Sequence, residues 1–370
     1  MNPGRAGRAM LASMMALVAV LPACRRRQPA EVNAIVPSVT MNRSRAPLGS
    51  AVEITYTWNL EPTAKKLTQD YRALVHFLDT HNVMLFEDDH VPVPPATQWE
   101  PGKSYSYTRT KFIPIYPYVG DVEIRMGLYP PGGRGERVPL KAEDAGMREF
   151  KVAKMELLPQ TENIFLVYKE GWHSPETSAQ NPSLERMWTK KDAIISFKNP
   201  KKDIIVYLEA DTNYKAFDQP PVLTIAVGNK AGLVVPIENS EVFLKKVHVK
   251  AADLGDQEWV DLRLSMNQSF IPKAKGINPS DDRELGLMRY NLYVGEADKL
   301  GAVPSVVEAV PVSLPPLSTA SPAPGASPGT KGAPAGKGSP APKGSPAPKG
   351  SPAAKVSAAP AAKPSASPRK

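Results

Sequence analysis

From residue 51 onward the chain repeats one device: a short run with every second residue apolar, closed by Pro, Gly, Asn or Asp. "AVEITYTW" at 51–58 places Val52, Ile54, Tyr56 and Trp58 on one face, the period of a pleated strand with one side buried. "RALVHFLD", "SYSYTRTKF", "DVEIRMGLY" and "REFKVAKM" repeat the pattern. A second series follows in "NIFLVYKE", "DAIISFKN", "DIIVYLEA", "PVLTIAVG", "EVFLKKVHVK", "EWVDLRLS" and "GLMRYNLYVG". "LEPTAKKLTQDY" admits one helical turn, and no longer helix is legible. Short strands at this spacing predict an all-β chain of two consecutive β-sandwiches, immunoglobulin-like or jelly-roll. The first is expected over 45–155 after a linker at 25–44, and the second over 156–314, with "AKMELLPQT" marking the change.

Both ends of the chain read differently. Arg5 and Arg8 precede the apolar "AMLASMMALVAVL", and "LPAC" closes the segment at Cys24, the three-part pattern of an export leader. The apolar run is short of the roughly 20 residues that span a bilayer as a helix. Cys24 is the single cysteine, so no intramolecular disulfide can form. Leu21, Ala23 and Cys24 resemble the lipobox of bacterial lipoproteins. That resemblance implies cleavage before Cys24, acylation of its sulfur, and anchoring in the cell envelope, at the outer membrane or facing the periplasm. From residue 315 the chain consists largely of Pro, Ala, Ser, Gly and Lys, and Lys331, Lys337, Lys343, Lys349 and Lys355 recur every six residues. A segment without acids or aromatic residues cannot bury a core and is expected to stay disordered. The leader, "RRR" at 25–27 and the tail hold thirteen cationic residues and no acidic one, so the net charge of +9 leaves residues 28–314 at −4. The basic balance therefore says nothing of a nucleic-acid groove on the folded part, and no nucleic-acid partner is expected. A membrane through the lipid, and a glycan or anionic envelope polymer through the domains or tail, are the expected partners.

"FLDTHNVMLFEDDHVPVP" at 77–94 crowds Asp79, His81, Asp88, Asp89 and His90 together. "DTHN" is a turn by composition, which makes the stretch a hairpin with Asp79 and His81 at its tip. Asp88 and His90 fall at the far end, roughly 25 Å away at about 3.3 Å per residue. Adjacent Asp88 and Asp89 point to opposite faces. The two pairs cannot share an ion, so the reading is a polar network bracing the loops, with no metal and no cofactor.

"EGWHSPE" sets Trp172, His173 and Glu176 within six residues, an aromatic plane beside an imidazole and an acid, as a sugar would require. Trp188 and Trp99 are the further candidates for ligand contact, whereas Trp58 and Trp259 sit in alternating runs and are expected to be buried. There is no G-x-S-x-G elbow, H-E-x-x-H, Walker loop or dinucleotide fingerprint in the chain, and no catalytic residue can be assigned.

Two stretches resemble known modules. "VHFLD", "DDHVPVPPATQWEPG" and "EIRMGLYPPGGRGERVPL" are similar to a β-sandwich accessory module of bacterial membrane glycosyltransferases and of stand-alone envelope proteins. "EGWHSPE", "RMWTKKDAIISFKNPKKD" and "DDRELGLMRYNLYVG" resemble jelly-roll modules of galactose-binding-like shape. These resemblances imply accessory domains and transfer no catalytic residue. The expected function is a non-catalytic envelope lipoprotein that binds or scaffolds, with glycan as the candidate ligand. An envelope hydrolase with a site near Asp88 and His90, and a purely structural spacer, are the alternatives.

Overall fold

The computed structural model describes residues 31–177, 185–228 and 230–314. The leader with Cys24 and the lysine-bearing tail lie outside the described residues. The first sandwich is built from β1 (Ile35–Met41), β2 (Arg45–Pro47), β3 (Ala51–Leu60), β4 (Arg72–Leu78), β5 (Met84–Glu87), β6 (Ser104–Phe112), β7 (Gly120–Tyr129), β8 (Glu143–Asp144) and β9 (Phe150–Leu158). A sheet ordered β1-β3-β6 faces one ordered β2-β9-β7-β4-β5, with β8 added beside β9. Their inner faces interdigitate through Val52, Ile54, Tyr56 and Trp58 from one side and Val75, Phe77, Ile124 and Met126 from the other.

The second sandwich uses β10 (Leu166–Tyr168), β11 (Glu176–Thr177), β12 (Glu185–Trp188), β13 (Asp192–Lys198), β14 (Ile204–Asp211), β15 (Val222–Val227), β16 (Ala231–Pro236), β17 (Phe243–Val249), β18 (Trp259–Met266), β19 (Met288–Glu296), β20 (Val307–Glu308) and β21 (Val310–Pro311). One sheet runs β10-β13-β18-β15-β16-β21 and the other β11-β12-β19-β14-β17-β20. Phe197, Ile225 and Leu262 from the first meet Val206, Leu208, Val247 and Val294 from the second in a separate core. Two cores, each walled by two sheets, are the expected double sandwich.

Three expectations are corrected. β1 lies inside the segment 25–44 expected to be a linker, and it pairs along its length with β3. Val39 and Ile35 bury the side of "IVPSVTM" that faces this core. The proposed domain boundary at 155/156 cuts β9, whose last residue is Leu158; the chain leaves the first sandwich only at Pro159. Trp259 is 47% exposed rather than buried, because it begins β18 on the face away from the core while Val260 points inward.

The two sandwiches also bury residues against each other. Ala51 and Phe112 from the first pack on Ile205, Tyr207, Tyr293 and Leu300 from the second. This is why β3 departs from alternation at its start: Ala51, Val52, Glu53 and Ile54 are all buried, two facing their own core and two facing the neighbouring sandwich.

Candidate functional site

The acidic–histidine stretch forms the predicted hairpin. Asp79 Oδ1 accepts the backbone N–H groups of His81 and Val83, each at 2.8 Å, so its carboxylate builds the turn. Beyond β5, Asp88 and Asp89 take opposite faces. Asp88 turns inward, accepting Tyr56 Oη–H at 2.9 Å and Arg109 Nε–H at 3.1 Å. His90 Nδ1 lies 2.6 Å from the Asp88 carbonyl oxygen; a carbonyl only accepts, so this nitrogen carries the proton. His90 Nε2 is then the acceptor for Tyr107 Oη–H at 2.7 Å, and Tyr107 in turn accepts Trp58 Nε1–H at 3.3 Å. These bonds suit the neutral imidazole. Burial pushes its pKa below the usual value, against the hydrogen bond to the Asp88 carbonyl. Burial likewise drives the phenols of Tyr56 and Tyr107 up. Asp88 and His90 are only 8% and 5% exposed, with their polar atoms consumed by this chain of bonds. The arrangement braces the sandwich and leaves no opening for a substrate.

Trp99, expected as a ligand contact, is fully buried. Its indole N–H donates to the Pro94 carbonyl at 2.9 Å, and its ring packs on Trp58 and Tyr105 with centroids 5.4 and 5.8 Å away. An aromatic ring closing the end of a core gains more from that burial than a surface position returns.

The residues quoted from "EGWHSPE" and "DDRELG" converge, as one sutured corner of the second sandwich. Trp172 Nε1–H donates to the Ile194 carbonyl at 2.9 Å, and its ring stands edge-on to Tyr168 with centroids 4.9 Å apart. His173 Nε2 donates to the Glu284 carbonyl at 2.7 Å. Glu176 accepts Arg283 at 2.9 Å, while Arg283 also grips Asp281 through two nitrogens at 2.9 and 2.8 Å. These carboxylates raise the Arg283 pKa above its usual value, Asp281 contributing most. Trp188 is half-buried edge-on to Phe270, 5.9 Å between centroids. Trp172, His173, Glu176 and Trp188 therefore sit together, yet each spends its polar group or much of its ring on the fold.

The two most exposed aromatic rings among the described residues lie elsewhere. Trp259 is paired with Lys198 on β13, and the register Leu166–Phe197 between β10 and β13 places Phe165 on the other side of Lys198. Residues opposed across strands share a face, so Phe165, Lys198 and Trp259 form one row on the outer surface of this sheet. Phe165 is 77% and Trp259 47% exposed. Lys198 is exposed and has no ion-pair partner among the described residues. With strands about 4.8 Å apart, the two rings stand roughly 10 Å from each other. Sequence reasoning missed this row because register between non-adjacent strands leaves no local mark.

No family model matches the chain, and no curated protein matches it. Among solved structures, it is similar to a family GH115 4-O-methyl-alpha-glucuronidase with specificity for decorated arabinogalactans, at 12% identity and TM-score 0.28 over 41% of this chain and 20% of that one. The tandem CBM22 domains of Paenibacillus barcinonensis Xyn10C match at 6% identity and TM-score 0.21, over 73% of this chain and all of the other. The mosquito-larvicidal Cry4Aa toxin of Bacillus thuringiensis matches at 6% and 0.22, over 76% of this chain and 52% of that one. Scores this low carry no argument about activity. The class rests on the chain's own sheets: an all-β protein of two packed sandwiches.

Proposed function

We propose that this chain is a non-catalytic, lipid-anchored protein of the bacterial envelope that binds glycan on its second sandwich. The observation that carries the reading is the row Phe165–Lys198–Trp259. Exposed aromatic planes cover the apolar faces of sugar rings, and two such planes roughly 10 Å apart, two strand spacings, can each take a ring of one oligosaccharide. An unpaired ammonium between the two rings favours a glycan bearing carboxylate or phosphate. Anchoring through Cys24 follows the lipobox pattern and places the binding face in the envelope, in keeping with the resemblance to accessory modules of membrane glycosyltransferases. The tail is the second, weaker contact, reaching anionic polymers through its evenly spaced lysines.

The test is a glycan array probed with the purified protein, run beside Trp259→Ala and Lys198→Gln. Binding to acidic oligosaccharides is expected to fall at least tenfold in Trp259→Ala, and the preference for acidic over neutral sugars is expected to vanish in Lys198→Gln. Retention of full binding by Phe165→Ala/Trp259→Ala would remove the site. For the anchor, Cys24→Ser is expected to shift the protein from the membrane to the soluble fraction or to stall its precursor; unchanged fractionation refutes it.

A further inference from the structure

The outer face of the β5-β4-β7 sheet holds a group of side chains that the hairpin reasoning passed over. β4 and β5 pair with His76 directly opposite Glu87. Asp89 lies two residues beyond Glu87 and so on the same face. One donor atom each from His76, Glu87 and Asp89 lies within 4.8 Å of the others, the one such His/Cys/Asp/Glu group among the described residues. Three observations bear on what this group is for.

The first concerns charge. Glu87 enters no ion pair among the described residues; Lys111 donates to the Glu87 backbone carbonyl at 2.5 Å and lies 3.8 Å from Asp88. Arg125, beside His76 on β7, is committed to Glu123 at 2.7 Å and to Asn82. Two carboxylates therefore converge beside the imidazole with no lysine or arginine among the described residues paired to either, an arrangement relieved by a proton or a metal ion shared among the three. The second concerns Asp89. Its Oδ1 accepts the Val75 N–H at 2.8 Å, which fixes the carboxylate and leaves Oδ2 over.

The third concerns the imidazole. Glu149 Oε1 stands 3.3 Å from His76 Nδ1 and is itself held by Arg137 at 2.8 Å. His76 and Glu149 are 15% and 12% exposed at their side chains, so this pair is largely sheltered. A carboxylate beside Nδ1 favours the tautomer with its proton there and leaves the other ring nitrogen to coordinate.

We infer that His76, Glu87 and Asp89 form a site for one divalent transition cation, with Glu149 positioning the imidazole. One imidazole and two carboxylates without a thiolate suit Zn²⁺ or Mn²⁺. Tetrahedral coordination at about 2.0–2.1 Å asks the donors to close to roughly 3.3 Å of one another, a rotamer adjustment open to the exposed Glu87. Three protein ligands leave a fourth position for water or for a ligand group. The ion would tie the short edge strand β5 to β4, so occupancy stabilises the first sandwich by mass action.

The experiment is calorimetric titration of the untagged full chain with Zn²⁺ alone, followed by thermal melting with and without the ion. One saturable equivalent and a raised Tm are expected. His76→Ala and Glu87→Gln should each weaken binding at least tenfold, and Glu149→Gln roughly tenfold through the loss of orientation. Glu87→Gln changes an exposed side chain and keeps the hairpin, so it stays informative if His76→Ala fails to fold. His81→Ala, at the exposed hairpin tip, should leave binding unchanged. Absence of a saturable equivalent, or binding that survives Glu87→Gln together with Glu149→Gln, overturns the site.

Discussion

At the scale of single residues, half-buried Asp211 shows how burial and a hydrogen bond compete at one carboxylate. Asp211, at the end of β14, accepts Tyr290 Oη–H at 2.8 Å with Arg186 nearby. Burial nevertheless raises its pKa above the usual carboxylate value, outweighing the phenol and the guanidinium that pull it down. The Tyr290 phenol is pushed up to about 12, by burial first and then by Asp211. A carboxyl with a raised folded-state pKa adds stability that is complete below its unfolded value of about 3.9 and is lost as pH rises through the folded value. Asp211→Asn keeps an acceptor for Tyr290 and removes the titration. It is expected to raise Tm at pH 7 and to flatten the decline in stability just above pH 4; a variant no more stable at pH 7 than the parent, with an unchanged profile, contradicts this.

At the scale of elements, close backbone approach sets several strand ends. Gly171 opens the segment that carries Trp172 and His173, with a φ of +85°, and a Cβ there would overlap the Asp192 carbonyl. That carbonyl belongs to β13, and the Asp192 side chain accepts Arg263 and Ser265 from β18. Any outward shift of Gly171 therefore disturbs β13 and β18, neighbours in one sheet of the second sandwich. Gly171→Ala is expected to destabilise the chain by about 2–4 kcal/mol, combining left-handed strain with the overlap. Urea unfolding measures it, and a loss under about 1 kcal/mol would show that the segment yields freely. The short runs legible in the sequence correspond closely to β3, β4, β6, β7, β9, β13, β14, β15, β17, β18 and β19. β1 was hidden by Pro37 and its position in a presumed linker, although its alternation is plain once paired. β16, "AGLVVP", was hidden because Gly and Pro bound so short a run.

At the scale of the whole molecule, a buried ion pair joins the two sandwiches. Lys246 on β17 reaches Glu53 on β3 at 2.8 Å, with side chains only 8% and 3% exposed. Thr110 donates to the same carboxylate at 2.9 Å, and Lys246 also donates to the Pro304 carbonyl at 3.2 Å. Asn42 Nδ2 donates to the Leu300 carbonyl across the same contact at 2.5 Å. Desolvation cancels much of the attraction of such a pair, but removing one member strands the other. Glu53→Gln is expected to cost about 3–5 kcal/mol, and the paired change Glu53→Leu/Lys246→Met should recover most of it. Scanning calorimetry of the full chain reads both; one transition is expected in the parent and two in Glu53→Gln. Equal losses in the single and the double variant would mean that packing of Ala51, Tyr207 and Tyr293, not the charges, holds the junction.

What the sequence determined by itself follows from local periodicity. Alternation with a period of two names strands and their buried faces, so the all-β class, the two sandwiches and the opposite directions of Asp88 and Asp89 were all readable. So was the hairpin turn at Asp79, since an Asx turn is made by neighbours in the chain. Tertiary structure alone decided which strands lie side by side, and with them every site that depends on pairing. His76 meets Glu87 only through β4–β5 register, Phe165 joins Trp259 only across β13, and Glu53 finds Lys246 only where one sandwich covers another. Trp99 and Trp259 exchanged their expected places for the same reason: burial is set by what packs on a face, and a single strand does not carry that information.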